Sequence, residues 1–158
     1  MKKIFIAAIV VMLLAATGSF AAGGTGLAIG GEAALTFAGT GGLPMGAMLM
    51  LHLPRFPLML GIGVSTTPAI GLTADYWAAQ GKIVSIFDWY FGIGGYLLLN
   101  LNPVDISLGA RIPLGLQMWP LGRSLEIFIE VAPAVGVSLI PTGFGWHLQG
   151  ALGLRFWF

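Results

Sequence analysis

The last fifteen residues of the chain alternate between apolar side chains and small or polar ones, and they end on an aromatic residue. The even positions of 144–158 are almost all large and apolar, whereas the odd positions include His147, Gln149 and Arg155. Because successive side chains of a strand point to opposite faces, this segment has one apolar and one polar face. Such a strand suits lipid on one side and a polar interior on the other, so the pattern predicts a membrane-spanning β-strand.

The other end of the chain has the features of a secretion signal. Lys2 and Lys3 precede an apolar run over residues 4–16, and small residues at 19 and 21 suit a signal peptidase. We therefore expect residues 1–21 to be removed after Ala21. A retained membrane helix would need about 20 apolar residues, and the Thr-Gly-Ser stretch at 17–19 interrupts the run too early. The chain has no cysteine, which excludes a lipid anchor behind the signal, a disulfide framework and a thiolate metal site.

The composition is that of a chain that needs lipid or a partner. It is 57% hydrophobic and only 8% charged, and it contains 25 glycines and 9 prolines. Charges, prolines and paired glycines break each long apolar stretch before it could span as a helix, whereas a strand spans in about 9 to 11 residues. Loss of Lys2 and Lys3 takes the formal net charge from +1 to −1. No basic patch for nucleic acid is present.

Read with a period of two, the mature chain contains eight predicted strands. They cover residues 26–37, 43–53, 58–65, 69–77, 86–99, 104–118, 125–139 and 144–158, with the phase of the fifth left open. The sixth and seventh alternate over about 15 residues, well beyond the roughly 5 or 6 of ordinary soluble strands. Residues 22–158 are therefore expected to form one all-β domain, an eight-stranded antiparallel up-and-down transmembrane β-barrel.

An even number of strands places both ends of the mature chain on one side of the membrane, the periplasm for this class. The same arrangement gathers aromatic residues near the periplasmic interface as a girdle. They are Phe56, Tyr76, Trp77, Trp89, Trp119, Phe156 and Phe158. The alternative is that these aromatics form the core of a soluble sandwich. That fold would need a second sheet, and its exposed faces would be nearly free of charge.

The polar faces of the strands predict a filled lumen, because eight strands enclose an interior only wide enough for side chains. Strand pairing brings Arg111 near Glu130 and Glu126 near Arg155, and unpaired charges there would be costly. Inward ionisable groups can also mark a transport pathway. Further polar side chains expected in the lumen are Glu32, Asp105, Gln117, His147 and Gln149. Inward glycines of several strands can fit against large neighbours or leave a narrow wet cavity.

The two histidines are the candidates for chemistry. His147, Ser138 and Glu130 share the inward phase and have the residue types of a Ser-His-Glu set, but their spacing does not require a catalytic arrangement. We expect a hydrogen-bonded luminal His147, an interfacial His52 and no enzymatic activity. Two isolated histidines without an acidic pair predict no metal site. The glycine cluster at 92–95 resembles a nucleotide-binding motif only superficially, because no helix follows it, so we expect no cofactor.

Four segments carry a family resemblance: Trp-Tyr-Phe-Gly-Ile-Gly-Gly-Tyr at 89–96, 108–116, 125–133 and the terminal Gly-Leu-Arg-Phe-Trp-Phe at 153–158. The chain resembles a small bacterial outer-membrane β-barrel family, with an architecture similar to the OmpA transmembrane domain and OmpX. The resemblance implies that Phe158, with Phe156, is the signal that the barrel-assembly machinery recognises. It implies no catalytic residues. The chain lacks the long surface loops of adhesive relatives and the peptidoglycan-binding domain of OmpA, which argues against adhesion and wall anchoring.

The expected role is therefore structural or interaction-based, in the outer membrane of a two-membrane bacterium. The expected partners are the lipid bilayer and, during biogenesis, the assembly machinery. Two alternatives stay open: a module that binds or transports a small molecule or lipid through a glycine-lined lumen, and a lipid-modifying enzyme that uses His147.

Overall fold

The computed structural model describes residues 26–40, 42, 45–54 and 56–158. Within them the regular secondary structure is entirely β, and every strand pairing is antiparallel, which confirms the predicted all-β antiparallel class. The strands are β1 (Ala28–Gly39), β2 (Gly46–Leu53), β3 (Leu58–Ser65), β4 (Ala69–Val84), β5 (Phe87–Leu101), β6 (Val104–Arg111), β7 (Leu114–Met118), β8 (Leu125–Leu139) and β9 (Thr142–Trp157). No helix in these ranges is long and apolar enough to cross a membrane. The predicted signal, residues 1–21, lies outside the described residues.

The sheet closes on itself. Neighbouring strands pair in chain order, and β1 pairs with β9 from Ala28 opposite Trp157 to Gly39 opposite His147. β6 and β7 together occupy a single strand position in the sheet, since both pair with β5 on one side and with β8 on the other. The result is a ring of eight strands with an inner and an outer face.

Pro113 divides the predicted sixth strand, 104–118, into two. β6 ends with Arg111 opposite Ala134, and β7 begins with Leu114 opposite Val131, so the register continues across the break. Proline has no N–H to donate to a ladder. The neighbouring bonds persist, with the Ile112 N–H donating to the Pro133 carbonyl at 2.9 Å. The prediction of one continuous strand is wrong at residues 112 and 113 only.

The fourth strand is longer than predicted. Residues 78–84, which the sequence analysis left in a connection, continue β4 and pair with the start of β5. Two register shifts, between Trp77 and Ala79 and between Lys82 and Val84, accompany the extension. The Gln-Gly-Lys stretch at 80–82 breaks the apolar alternation that marks a strand. Backbone hydrogen bonds to β5 hold the segment regardless of its side chains.

The inner face of the ring holds the charges, and the outer face is apolar. The carboxyl and guanidinium side chains buried inside are Glu32, Asp75, Asp88, Arg111, Glu126, Glu130 and Arg155. Exposed outward side chains include Leu49, Ile62, Ile93, Leu116, Ile129, Leu152 and Leu154. Among the described residues, only Lys82 and Arg123 are exposed charged residues, and both lie at the end of the ring where β1 begins and β9 ends. Soluble proteins show the reverse distribution: their charged side chains lie mostly on the exposed surface and are almost never fully buried unless paired.

Inside the ring, large side chains lie over glycines of the adjacent strand. Tyr90 is opposite Gly115, and Phe128 is opposite Gly153. A Cβ added at either glycine would collide with the facing aromatic ring. The small-against-large fit considered from the sequence therefore occurs at these positions, and it lets bulky residues fill a narrow interior.

Candidate functional site

Arg111 links four strands in the middle of the interior. Its guanidinium forms an ion pair with Glu130 of β8, donates from Nη1 to Gln149 Oε1 of β9 at 2.9 Å, and places Nε 3.3 Å from Asp75 Oδ1 of β4. All four side chains are buried. The Arg111–Glu130 contact is one of the two ion pairs that strand alternation predicted. Asp75 was not among the candidates, although it shares the inward phase of Gly71 and Thr73 between outward Leu72 and Tyr76.

Arg155 forms the second predicted pair. Its Nη1 donates to Glu126 Oε1 at 2.5 Å, and both side chains are fully buried. The guanidinium carbon lies 3.5 Å from the centre of the Phe128 ring, a cation–π arrangement. Glu126 also accepts hydrogen bonds from Gln117 Nε2 at 2.9 Å and Trp157 Nε1 at 2.6 Å. The carboxylate is thus held by three donors, as a buried charge requires.

Tyr90 joins the two arginine clusters. Its hydroxyl donates to Glu130 Oε2 at 2.5 Å and accepts from Arg155 Nη2 at 3.4 Å. The outcome is a continuous hydrogen-bonded chain through the interior: Gln149, Arg111, Glu130, Tyr90, Arg155, Glu126 and Gln117. A guanidinium does not lose its proton in proteins, so the two arginines interrupt proton transfer along this chain. The network is therefore better suited to holding the strands of the ring together than to transferring protons.

Glu32 adds a further carboxyl group to the interior. It is buried in β1, and its Oε2 has no hydrogen-bond partner among the described residues. Together with Asp75, Glu126 and Glu130 it faces only two guanidiniums in the described part of this interior. The described part of the interior therefore holds more carboxyl groups than guanidinium groups.

The Ser-His-Glu set does not assemble. His147 is buried and meets Tyr96 edge-on, with ring centres 4.9 Å apart, and its Nδ1 has no partner in the described ranges. The Ser138 hydroxyl donates to Asp105, while Glu130 is bound by Arg111 and Tyr90. Within the described residues, no group of three His, Asp or Glu side chains could hold a metal ion.

Asp105 lies at the end of the ring opposite the start of β1 and the end of β9, and it is half-buried. Besides Ser138, it accepts from Asn100 Nδ2 at 3.3 Å and from Ser107 Oγ at 3.1 Å. It lines a mouth cavity of about 280 Å³ with Tyr96. Asp105 is thus a lumen residue as predicted, but it lies at the mouth and is separate from the arginine clusters.

Three aromatic or histidine placements differ from the sequence analysis. His52, expected at the interface, is buried between Trp77 and Trp157, with ring centres 5.4 and 4.9 Å away, and its Nδ1 lies 2.7 Å from the Gly26 carbonyl oxygen. Trp77 and Trp119, expected in the girdle, are also buried inside. Trp77 has the inward phase of β4, and Trp119, one residue past β7, continues the inward phase of Gly115 and Gln117. The sequence analysis grouped these aromatics by height along the strand and did not consider their phase. The other predicted girdle residues are exposed: Phe56, Tyr76, Trp89, Phe156 and Phe158.

The cavities inside the ring and on its outer face differ widely in volume. A cavity of about 20 Å³ beside Tyr96, His147 and Gln149 is close to the minimum for one water molecule. Mouth cavities of about 280 and 200 Å³ lie at the two ends. A concavity of about 870 Å³ is lined mainly by outward residues where small Gly31, Ala33 and Ala47 replace larger side chains.

The geometry is a closed β ring with a braced, charged interior and an apolar exterior. Comparison with known proteins adds no family to this description: no protein-family model, no curated protein and no solved structure matches the chain.

Proposed function

We propose that this protein is an integral outer-membrane β-barrel of a two-membrane bacterium, with a structural or interaction role and no enzymatic activity. The observation that carries the proposal is the inverted distribution of side chains. Buried ion pairs occupy the inside of the ring, while the outer face displays Ile129, Leu152, Leu154 and similar side chains. Lys82, near the end of β4, is the one exposed charged residue of the described strands.

Physical chemistry supports lipid as the surrounding solvent. Each square ångström of apolar surface left in water costs about 25 cal/mol, so a whole exterior of exposed aliphatic side chains would drive aggregation. Lipid removes that cost. Closed rings of strands also suit a bilayer because pairing around the ring satisfies the backbone groups that lipid cannot bind.

The proposed orientation places the start of β1, the end of β9, Lys82 and Arg123 at the periplasmic end. Exposed Trp89, Phe156 and Phe158 lie toward the same end and fit an interfacial aromatic girdle. Phe158 is partly exposed and its N–H donates to the Leu27 carbonyl at 2.8 Å, so its ring stays accessible to the assembly machinery.

Fractionation tests the membrane assignment. After expression in a two-membrane bacterium, we expect the protein in the outer-membrane fraction, resistant to alkaline extraction and heat-modifiable in gel mobility, as folded strand-built membrane proteins are. Phe158→Ala should lower the folded, inserted fraction because it removes the proposed assembly signal, whereas Phe144→Ala, an equally aromatic exposed site at the other end, should not. Release of the unmodified protein as a soluble periplasmic species would contradict the proposal.

The two mouth cavities are the observation that favours transport as an alternative function. A conductance measurement distinguishes transport from the structural role. Because the described interior is bridged by the chain from Gln149 to Gln117, we expect no steady current when the purified protein is reconstituted in planar bilayers. The control is the same preparation after heat denaturation, which reports leak from damaged lipid. A regular open channel in the native protein would favour transport instead.

A further inference from the structure

A cavity of about 280 Å³ lies at the end of the ring where β5 and β8 end and where β6 and β9 begin. Thr142 and Phe144 line it and are exposed, whereas Tyr96, Asp105 and Ser138 line it from half-buried positions. Asp105 is the only charged residue among those that line it in the described part of the chain. The cavity therefore has a single carboxylate in a wall of hydroxyl groups and aromatic rings.

The register of the strands brings the polar side chains of this cavity together. Asp105 lies opposite Asn100 of β5, and Ser107 lies opposite Ser138 of β8. Because side chains recur on one face at every second residue, Asp105 and Ser107 both point into the ring. Asp105 accepts hydrogen bonds from Asn100 Nδ2 at 3.3 Å, from Ser107 Oγ at 3.1 Å and from Ser138 Oγ. Both neighbouring strands thus hold the carboxylate in place.

The charge of Asp105 is not neutralised within the described residues. The ion pairs found there join Arg111, Arg123 and Arg155 to other carboxylates, and the donors to Asp105 are neutral side chains. A carboxylate has about four lone-pair sites, so a further donor can still bind beside these three. Since Asp105 is half-buried, water solvates its charge only in part. The carboxylate therefore favours a cation that donates hydrogen bonds.

The neighbouring hydroxyl groups offer further acceptors to the same cation. A serine hydroxyl has a single proton, and Ser138 donates it to Asp105, so the Ser138 oxygen can only accept from a ligand. The Tyr96 hydroxyl lies over Gly136, the inward residue next to Ser138 along β8, because a Cβ at that glycine would collide with the Tyr96 oxygen. A phenol oxygen can also accept a hydrogen bond. The wall thus combines a carboxylate with two acceptor oxygens.

We propose that this cavity binds the primary ammonium group of a small molecule. An ammonium group has three N–H donors, which match the acceptors of Asp105, Ser138 and Tyr96, and its charge matches the carboxylate. A quaternary ammonium has the same charge but no N–H, so it would leave these acceptors without partners. Calcium takes roughly 6 to 8 oxygen ligands, and a single carboxylate that already accepts three hydrogen bonds suits it poorly. The site therefore selects a primary over a quaternary ammonium.

Solution NMR of the protein, folded in micelles of an uncharged detergent at neutral pH, tests this selectivity with the chloride salts of ethanolamine and choline. Both have a hydroxyethyl ammonium skeleton, but only ethanolamine has N–H donors. We expect ethanolamine to cause saturable shifts of the Asn100 side-chain amide and of the backbone amides of Asp105 and Ser138. Choline should need at least a tenfold higher concentration, roughly the effect of losing a hydrogen bond to a charged group. Equal affinity, or no saturable shift with ethanolamine, would overturn the proposal.

Three variants assign the binding to named atoms. Asp105→Asn keeps the shape and removes the charge, so it should weaken ethanolamine binding at least tenfold. Tyr96→Phe keeps the ring and removes one acceptor, so it should weaken binding about fivefold. Asp88→Asn changes a carboxylate at the opposite mouth and should leave the affinity unchanged. Wild-type affinity in folded Asp105→Asn would contradict the assignment, and the ratio between ethanolamine and choline in the unmodified protein tests the site if a variant does not fold.

Calcium chloride distinguishes an ammonium site from a metal site at the same carboxylate. We expect no saturable shift of the Asn100 side-chain amide with calcium chloride at concentrations at which ethanolamine saturates. Saturation by calcium in that range would assign the cavity to a metal ion and overturn the proposal. Binding in micelles does not depend on insertion into the outer membrane, so this result and the result of fractionation are independent.

Discussion

Replacing Arg111 by methionine should lower the free energy of unfolding by about 3 to 5 kcal/mol, the usual cost of breaking a buried ion pair. The expected loss is large because Arg111 is the shared partner of Glu130 and Asp75, and both carboxylates are buried. Methionine preserves much of the volume, so the change reports mainly on charge. Urea titrations of the protein refolded into lipid vesicles would measure it.

The matched variants make the result specific. Glu130→Gln should cost less than Arg111→Met, since Arg111 keeps Asp75 and Gln149 as partners. Combining Arg111→Met with Glu130→Gln should recover part of the loss, and adding Asp75→Asn should recover more. If the effects of Arg111→Met and Glu130→Gln were simply additive, the ion pair would not contribute as the structure indicates.

Replacing Ile129 by arginine should lower the free energy of unfolding by about 2 to 4 kcal/mol if the side chain lies near the bilayer midplane. Ile129 is 55% exposed, near the middle of β8, and its neighbours across the strands are Leu116 and Leu152. An exposed arginine in water would cost almost nothing, so the loss depends on lipid around the ring. Refolding titrations into vesicles would measure the cost.

Leu121→Arg is the control for this substitution. Leu121 is 68% exposed but lies in the turn between β7 and β8, beyond the strands. The same change of side chain there should be nearly neutral. If Ile129→Arg and Leu121→Arg were both neutral, the outer face would not be in contact with lipid and the proposed membrane insertion would be wrong.

Alternation along the strands determined which side chains lie inside the ring. In 125–139 every second residue is apolar, so Glu126 and Glu130 had to share the face opposite Ile127 and Ile129. Short connections between antiparallel strands then bring Arg111 and Arg155 beside them. These predictions rest on neighbours within one pair of strands, where a period of two and a turn length are sufficient.

The exceptions arise where backbone hydrogen bonding overrides the pattern of side chains. Pro113 interrupts the sixth predicted strand although the alternation runs through it, because the missing N–H affects the ladder and leaves the faces unchanged. Residues 78–84 form strand although their side chains do not alternate, because β5 offers the partner groups. A pattern of apolar residues indicates only which side chains are buried. It shows neither a missing backbone N–H nor a strand that is held by its backbone hydrogen bonds alone.

Only the tertiary structure decided which inward side chains meet across the ring. Asp75 approaches Arg111 from β4, and Tyr90 connects Glu130 to Arg155. The sequence by itself assigned Arg111, Glu126, Glu130 and Arg155 to the interior, but it gave neither Asp75 nor these partners. The physical reason is that contacts across a closed sheet depend on its diameter and on the stagger of strands that are not neighbours, and both are set when β1 pairs with β9.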